Sequence, residues 1–125
     1  MLVLEGQADA LDTDRTATSS LVEHTDATGE PALRVWTPPR HVAFGRRDAS
    51  EDGYAEAVAA ADSHGFPTVE REVGGRAVAF TEGTLAFAYT EAVDGDRRGI
   101  HDRYEDVRTR LRTALAALGV DARQG

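Results

Sequence analysis

The sequence predicts an α+β, or mixed α/β, domain, and three observations carry that expectation. Short apolar runs alternate with polar residues at a period of two, other stretches repeat their apolar residues at three- and four-residue steps, and the two kinds of segment intermix. Pro31, Pro38, Pro39 and Pro67 fall at the joints between them. No internal repeat or low-complexity segment interrupts the pattern, so the 125 residues are expected to form a single domain with one modest core.

The elements follow in order. Residues 1–5 are a short apolar start, and residues 11–24 read as a Thr-rich helix with Leu11, Leu21 and Val22 apolar. In residues 32–37, Leu33 and Val35 alternate with Arg34 and Trp36, and residues 41–44 offer a second run across the Pro38-Pro39 turn; the two are expected to pair as strands. Ser50 is placed to cap an Ala-rich helix whose first turn carries Glu51 and Asp52, and Gly65 stops it ahead of Pro67. Residues 68–90 turn to adjacent antiparallel strands, with Ala77, Val78 and Phe80 in one, Leu85, Phe87 and Tyr89 in the next, and Glu82-Gly83 as the turn. In the last helix Ile100, Tyr104, Val107, Leu111, Leu115 and Leu118 recur at three- and four-residue steps, the stripe from Tyr104 to Leu118 is expected to be core, and Gly119 is the stop.

Composition removes several function classes. The net charge is −8, and every basic residue is arginine, so there is no lysine at all. An acidic surface repels nucleic acid and anionic membranes, which argues against both as partners. High Asp and Glu with Arg in place of Lys resembles proteins of very salty cytoplasm, where self-repulsion is screened. The absence of cysteine excludes disulfides, thiolate metal sites and thiol nucleophiles within the chain. No apolar run approaches the roughly 18 residues that span a bilayer, and no basic-then-apolar leader opens the chain, so the cytoplasm is the expected location.

Chemistry concentrates in residues 70–80. Here a charged strand end, Glu70-Arg71-Glu72-Val73, runs through Gly74-Gly75-Arg76 into the apolar Ala77-Val78-Ala79-Phe80. Adjacent glycines at a strand junction permit positive backbone dihedrals and close approach of ligand or chain, and Arg71 can offer a planar fork to a carboxylate or phosphate. On pattern alone the plainer reading is a glycine bulge in a hairpin beside a solvated arginine. Elsewhere, His24, His41, His64 and His101 lie on separate elements without ligand-like spacing, and Asp94, Asp96, Arg97 and Arg98 read as a solvated loop. Ser19 and Ser20 have no histidine-carboxylate arrangement to activate them.

The double-glycine segment resembles the signature of the lipoate-protein ligase A family, within the biotin and lipoate protein ligase superfamily. The matching residues are Arg71, Gly74, Gly75, Ala77 and Val78, followed by Gly83 and the strand Leu85-Ala86-Phe87-Ala88-Tyr89. Upstream, Leu33-Arg34-Val35-Trp36 and Val42-Ala43-Phe44-Gly45-Arg46 resemble the family's Trp-bearing strand and its Gly-Arg strand end. The resemblance implies a mixed, largely antiparallel sheet packed with helices, of the class II synthetase and biotin-ligase kind, with this chain as the N-terminal, acyl-pocket half. It implies ATP-dependent activation of lipoate as lipoyl-AMP, with Mg2+ accompanying ATP, and transfer to a lysine of a lipoyl-domain acceptor protein.

Carried over residue by residue, Arg71 would contact the acyl-phosphate region, Gly74 and Gly75 would wrap the acyl chain, and Gly45 would sit at the pocket rim. Trp36, Val73 and Val78 would line an apolar tunnel, with Ala77 beside them in the matched motif. The chain departs from the pattern at Glu70, where the family has the first of two arginines; at Arg76, the third glycine; and at Phe80 and Thr81, where it has His and Asp. The family also relies on a lysine beyond the last helix, whose charge stabilises the activated acyl group, and arginine is no faithful substitute. The expectation is therefore a domain too short to catalyse alone, completed by a longer product or a second polypeptide. The alternatives are an octanoyltransferase of the same superfamily, taking an octanoyl group from a carrier without ATP, and a non-catalytic module that binds an acyl chain or a partner.

Overall fold

The computed structural model describes residues 1–93 and 99–123, and the charged loop of Asp94, Asp96, Arg97 and Arg98 lies outside them. The fold is α+β, and the chain divides into two compact units, Met1–Ala92 and Val93–Gly125. The first holds strands β1 (Leu2–Glu5), β2 (Ala32–Trp36), β3 (His41–Phe44), β4 (Thr68–Glu70), β5 (Val78–Phe80) and β6 (Ala86–Thr90), with helices α1 (Leu11–Thr28) and α2 (Tyr54–Ser63). The second holds α3 (Ile100–Ala117).

Helix α1 runs four residues beyond the expected end and stops at Gly29, whose φ of 71° lets its N–H return to the Thr25 carbonyl. Within it Thr16, Thr18, Ser19, Ser20 and Thr28 each donate a hydroxyl to the carbonyl four residues back, which satisfies these polar side chains on the helix itself. Its inward positions are Asp14, Leu21 and Thr25. They pack on a three-stranded sheet in the order β1-β2-β6, with β1 parallel and β6 antiparallel to β2.

The buried side of β2 is not the one its apolar residues suggest. Ala32 and Arg34 are buried, whereas Leu33 and Val35 are half-exposed. Arg34 can go inward because α1 meets every end of its fork: Nη2 donates to Asp14 Oδ1 at 2.6 Å, and Nη1 donates to the Asp14 carbonyl and Thr18 Oγ1, both at 2.7 Å. A buried guanidinium is tolerable only when paired and hydrogen-bonded in this way. At the other end of the strand, Thr90 Oγ1 on β6 lies 2.7 Å from Thr25 Oγ1, which donates to the Glu30 carbonyl.

Two pairing expectations are corrected. β2 and β3 do not pair with each other; β3 is the centre of a second three-stranded sheet, β4-β3-β5, parallel to β4 and antiparallel to β5. Nor are the strands of residues 68–90 adjacent: β4 and β5 flank β3, and β6 joins the first sheet. The Glu82-Gly83 turn exists, but it passes the chain from one sheet to the other. Local alternation marks a segment as strand, while the partner is decided by distant packing.

Ser50 also has a different role. It ends a 3-10 turn, Asp48–Ser50, and α2 starts at Tyr54 behind Gly53, whose φ of 89° turns the chain into the helix, so Glu51 and Asp52 precede the first turn. The expected stops hold at Gly65 and Gly119. At Gly65 (φ 74°) the N–H reaches the Asp62 carbonyl and Phe66 N–H that of Ala61; at Gly119 (φ 81°) the N–H reaches Ala116 and Val120 N–H reaches Leu115.

The α3 stripe is not core. No residue of α3 is buried, and Ile100, Tyr104 and Leu118 are exposed while Val107, Leu111 and Leu115 are half-buried. Within its own unit α3 supplies an apolar face with no second helix or strand among the described residues to bury it. Among the described residues no helix is long and apolar enough to cross a membrane.

Candidate functional site

The end of β3 and the loop after β4 are built against each other. Arg71 N–H continues the ladder by donating to the Phe44 carbonyl at 2.9 Å, and Arg46 N–H donates to the Val73 carbonyl at 3.2 Å. Between these bonds Gly45 is buried so tightly that an added Cβ would stand 1.9 Å from the Gly75 carbonyl oxygen. Its N–H is held by Asp48 Oδ2 at 2.8 Å. Gly75 has a φ of 100°, a conformation that side chains disfavour, and this aims its carbonyl at Gly45.

The Arg71 guanidinium lies over this glycine, with Nη2 3.3 Å from where a Gly75 Cβ would be, and Nη2 donates to the Arg76 carbonyl at 2.6 Å. Its Nε is buried and has no partner among the described residues. Beside it opens a groove of about 490 Å³ lined by Arg46, Glu70, Arg71 and Glu72. The Tyr54 hydroxyl of α2 donates to Glu70 Oε1 at 2.6 Å, and Phe44 meets the Tyr54 ring edge-on at 5.1 Å. That hydrogen bond to a carboxylate, helped by burial and by the charges of Glu70 and Asp48, raises the Tyr54 phenol above its ordinary pKa.

Of the residues expected from sequence, Gly45, Arg71, Val73 and Gly75 meet in this interlock. Gly74 and Ala77 are exposed along the loop, Val73 exposes its side chain, and Val78 begins β5 opposite Ala43 with 42% of its surface open. Trp36 belongs to the other sheet. It lines a separate cleft of about 260 Å³ with Glu5, Gly6, Gln7, Val35, Thr37 and Leu85, beneath the Arg34 guanidinium at 4.0 Å, and its Nε1 is buried without a partner among the described residues.

Arg46, Glu70 and Glu72 line the groove and were not singled out as site residues from sequence. Arg46 stood in the Gly-Arg strand end and Glu70 as a departure from a motif, but nothing local marks either as facing a groove. The histidines stay apart: His41 stacks on Phe80 at 4.6 Å, His24 pairs with Glu30, and His64 turns to the Ala60 carbonyl. Among the described residues no group of three or more His, Asp or Glu gathers that could hold a metal ion.

The sequence profile of the lipoyl protein ligase A/B catalytic domain matches residues 12–125. A search among curated proteins found no match. Of solved structures, lipoate-protein ligase A bound with ATP aligns with a TM-score of 0.74 at 23% identity, over 99% of this chain and 48% of that one. A candidate lipoate protein ligase from T. acidophilum with bound lipoic acid aligns at 0.77 and 22%, over 99% and 50%. A bi-partite lipoate protein ligase from T. acidophilum, from a study that includes its E2 lipoyl domain, aligns at 0.71 and 22%, over 100% and 49%. At these identities the likeness is one of fold, and the chain spans about half the length of each of these structures.

Proposed function

This chain belongs to the lipoyl protein ligase A/B catalytic domain family, and we propose that it is the acyl-pocket portion of a lipoate-protein ligase. The observation that carries the reading is the Gly45–Gly75 interlock with Arg71 laid over it, because it sets glycine backbone against the arginine whose cationic fork lines the groove. In the proposed reaction the carboxylate of lipoic acid attacks the α-phosphorus of ATP, pyrophosphate leaves, and the resulting lipoyl-AMP gives its acyl group to the ε-amine of a lipoyl-domain lysine as AMP departs. The ATP-bound and lipoate-bound neighbours support this choice of substrates. Arg71 would hold the carboxylate and then the acyl-phosphate oxygens, and Gly74 and Gly75 would let the acyl chain lie against the backbone.

Magnesium would arrive on the triphosphate, since no protein cluster gathers for it among the described residues, and no step here depends on it. The chain contains no lysine to stabilise charge during activation, so catalysis is proposed to need a lysine from outside these 125 residues, in the same product or a second polypeptide.

The test is Arg71→Ala in the completed enzyme, or in the chain joined to its missing partner, titrated with a non-hydrolysable lipoyl-adenylate analogue. Loss of a charge-assisted hydrogen bond should weaken binding by about 1.5–3 kcal/mol. Stability should move little, because the bond to the Arg76 carbonyl is exposed. Equal affinities for wild type and variant would remove Arg71 from the site.

A further inference from the structure

Helix α3 carries an apolar stripe that its own unit does not cover. Ile100, Tyr104 and Leu118 expose 74%, 69% and 79% of their surface. The charges of the helix are sorted around that stripe. At about 100° per residue, Arg110 and Arg112 stand on its two flanks, one to either side of Leu111, while Asp102 and Asp106 fall on the far side. Arg108 is drawn to Glu105 in an ion pair, but Arg110 and Arg112 are exposed and pair with no carboxylate among the described residues.

From this pattern we infer that α3 is a seam of the catalytic domain, docked by an apolar ridge with carboxylates along both sides that belongs to the polypeptide completing the domain. The inference rests on the function proposed above, in which this chain is one portion of a ligase. This chain covers 48%, 50% and 49% of the three solved structures of the fold, each of which therefore has about as much chain again to place against a portion like this one. A second copy of this chain fits the stripe badly. Antiparallel pairing of α3 with itself sets like flank against like flank, arginine on arginine, and parallel pairing sets Arg110 against Arg112. A transient acceptor fits badly too, because a stripe of Ile, Tyr, Val and Leu is the apolar kind of surface that obligate partners keep buried.

The chain has no cysteine, so Tyr104→Cys and Leu118→Cys, made singly, each place one thiol on the stripe, and Ser19→Cys places a control on exposed α1. Maleimide labelling is timed on the 125-residue chain alone and on the completed enzyme, this chain together with the polypeptide that supplies the lysine, with the parent enzyme's own labelling subtracted. Alone, all three thiols should react freely. In the completed enzyme the two stripe thiols should slow by more than about tenfold while the control keeps its rate. Arg110→Glu with Arg112→Glu should leave the chain's own melting unchanged and lower the Tm of the completed enzyme, most clearly at low salt. Stripe thiols as reactive in the completed enzyme as in the chain alone overturn the inference. Protection of the chain alone that grows with its own concentration, or on addition of anionic phospholipid vesicles, also overturns it, by giving the stripe to a second copy or to a membrane. The adenylate titration of the same completed enzyme reports separately on the proposed function. Protection without analogue binding keeps the seam and rejects the ligase reading, and binding without protection does the reverse.

Discussion

Gly45→Ala is the sharpest perturbation of the site. The new methyl would meet the Gly75 carbonyl oxygen at 1.9 Å, where ordinary contact begins at 3.4 Å. The obstacle is backbone, so no side chain can swing aside; the loop must retreat by roughly 1 Å or more, since shorter contacts are steeply repulsive. Retreat strains the Arg46–Val73 and Arg71–Phe44 backbone bonds that join the loop to β3. Overpacking costs about 1–3 kcal/mol, and a rigid obstacle places this case near the top, at about 3 kcal/mol. For a chain of this size that corresponds to a fall in Tm of roughly 10 °C. Thermal and urea unfolding measure it, with two glycines beside it as internal references. A Gly74 Cβ meets nothing within 4 Å, so Gly74→Ala should be neutral or slightly stabilising. Gly75→Ala carries the penalty of a φ of 100° and should fall between them, at about 1–2 kcal/mol. The reasoning fails if Gly45→Ala melts within about 2 °C of wild type, the scatter of neutral substitutions, or if Gly74→Ala costs as much.

Three further outcomes are expected. Arg34→Ala leaves Asp14 buried and unpaired and should cost about 3–5 kcal/mol in urea unfolding, whereas Arg34→Met with Asp14→Leu should recover most of it; a single-variant loss under about 1 kcal/mol would mean the pair is not shielded. In a phenolate absorbance titration Tyr54 should ionise above the ordinary value of 10.0, and Glu70→Gln should lower it. The sign follows from the raised pKa: the Tyr54–Glu70 bond stabilises the fold below the ordinary tyrosine range and is lost as pH rises through the folded value, and a phenolate titration that Glu70→Gln leaves unchanged would contradict it. Finally, the chain alone, given ATP, lipoate and a lipoyl domain, should yield no lipoylated product, and robust turnover would refute the need for an external lysine.

What could be read from the sequence divides along the range of the interactions. Gly65 and Gly119 were legible as stops because the bonds that close those helices lie within six residues. Ser50 misled because Asp48 and Gly53, a few residues to either side, take over the turn and the helix start. Strand positions were mostly visible, but their partners were not: nothing in residues 32–44 says that the chain changes sheets at Pro38-Pro39. The inward turn of Arg34 was hidden, since it depends on Asp14, twenty residues earlier. At the site, the glycines and Arg71 were found through a family pattern, while the Tyr54–Glu70 contact joins residues sixteen apart on a helix and a strand and leaves no periodic trace.

Gly45 and Gly75 sit thirty positions apart, yet neither has a shape of its own at this contact. The loop's curve is a cast taken from the end of β3, and Asp48 fixes the mould by holding the Gly45 amide. A peptide copied from residues 70–80 would therefore carry the signature letters without the groove. Transplanting the motif into another scaffold requires moving both strands and the Asp48 turn as one piece.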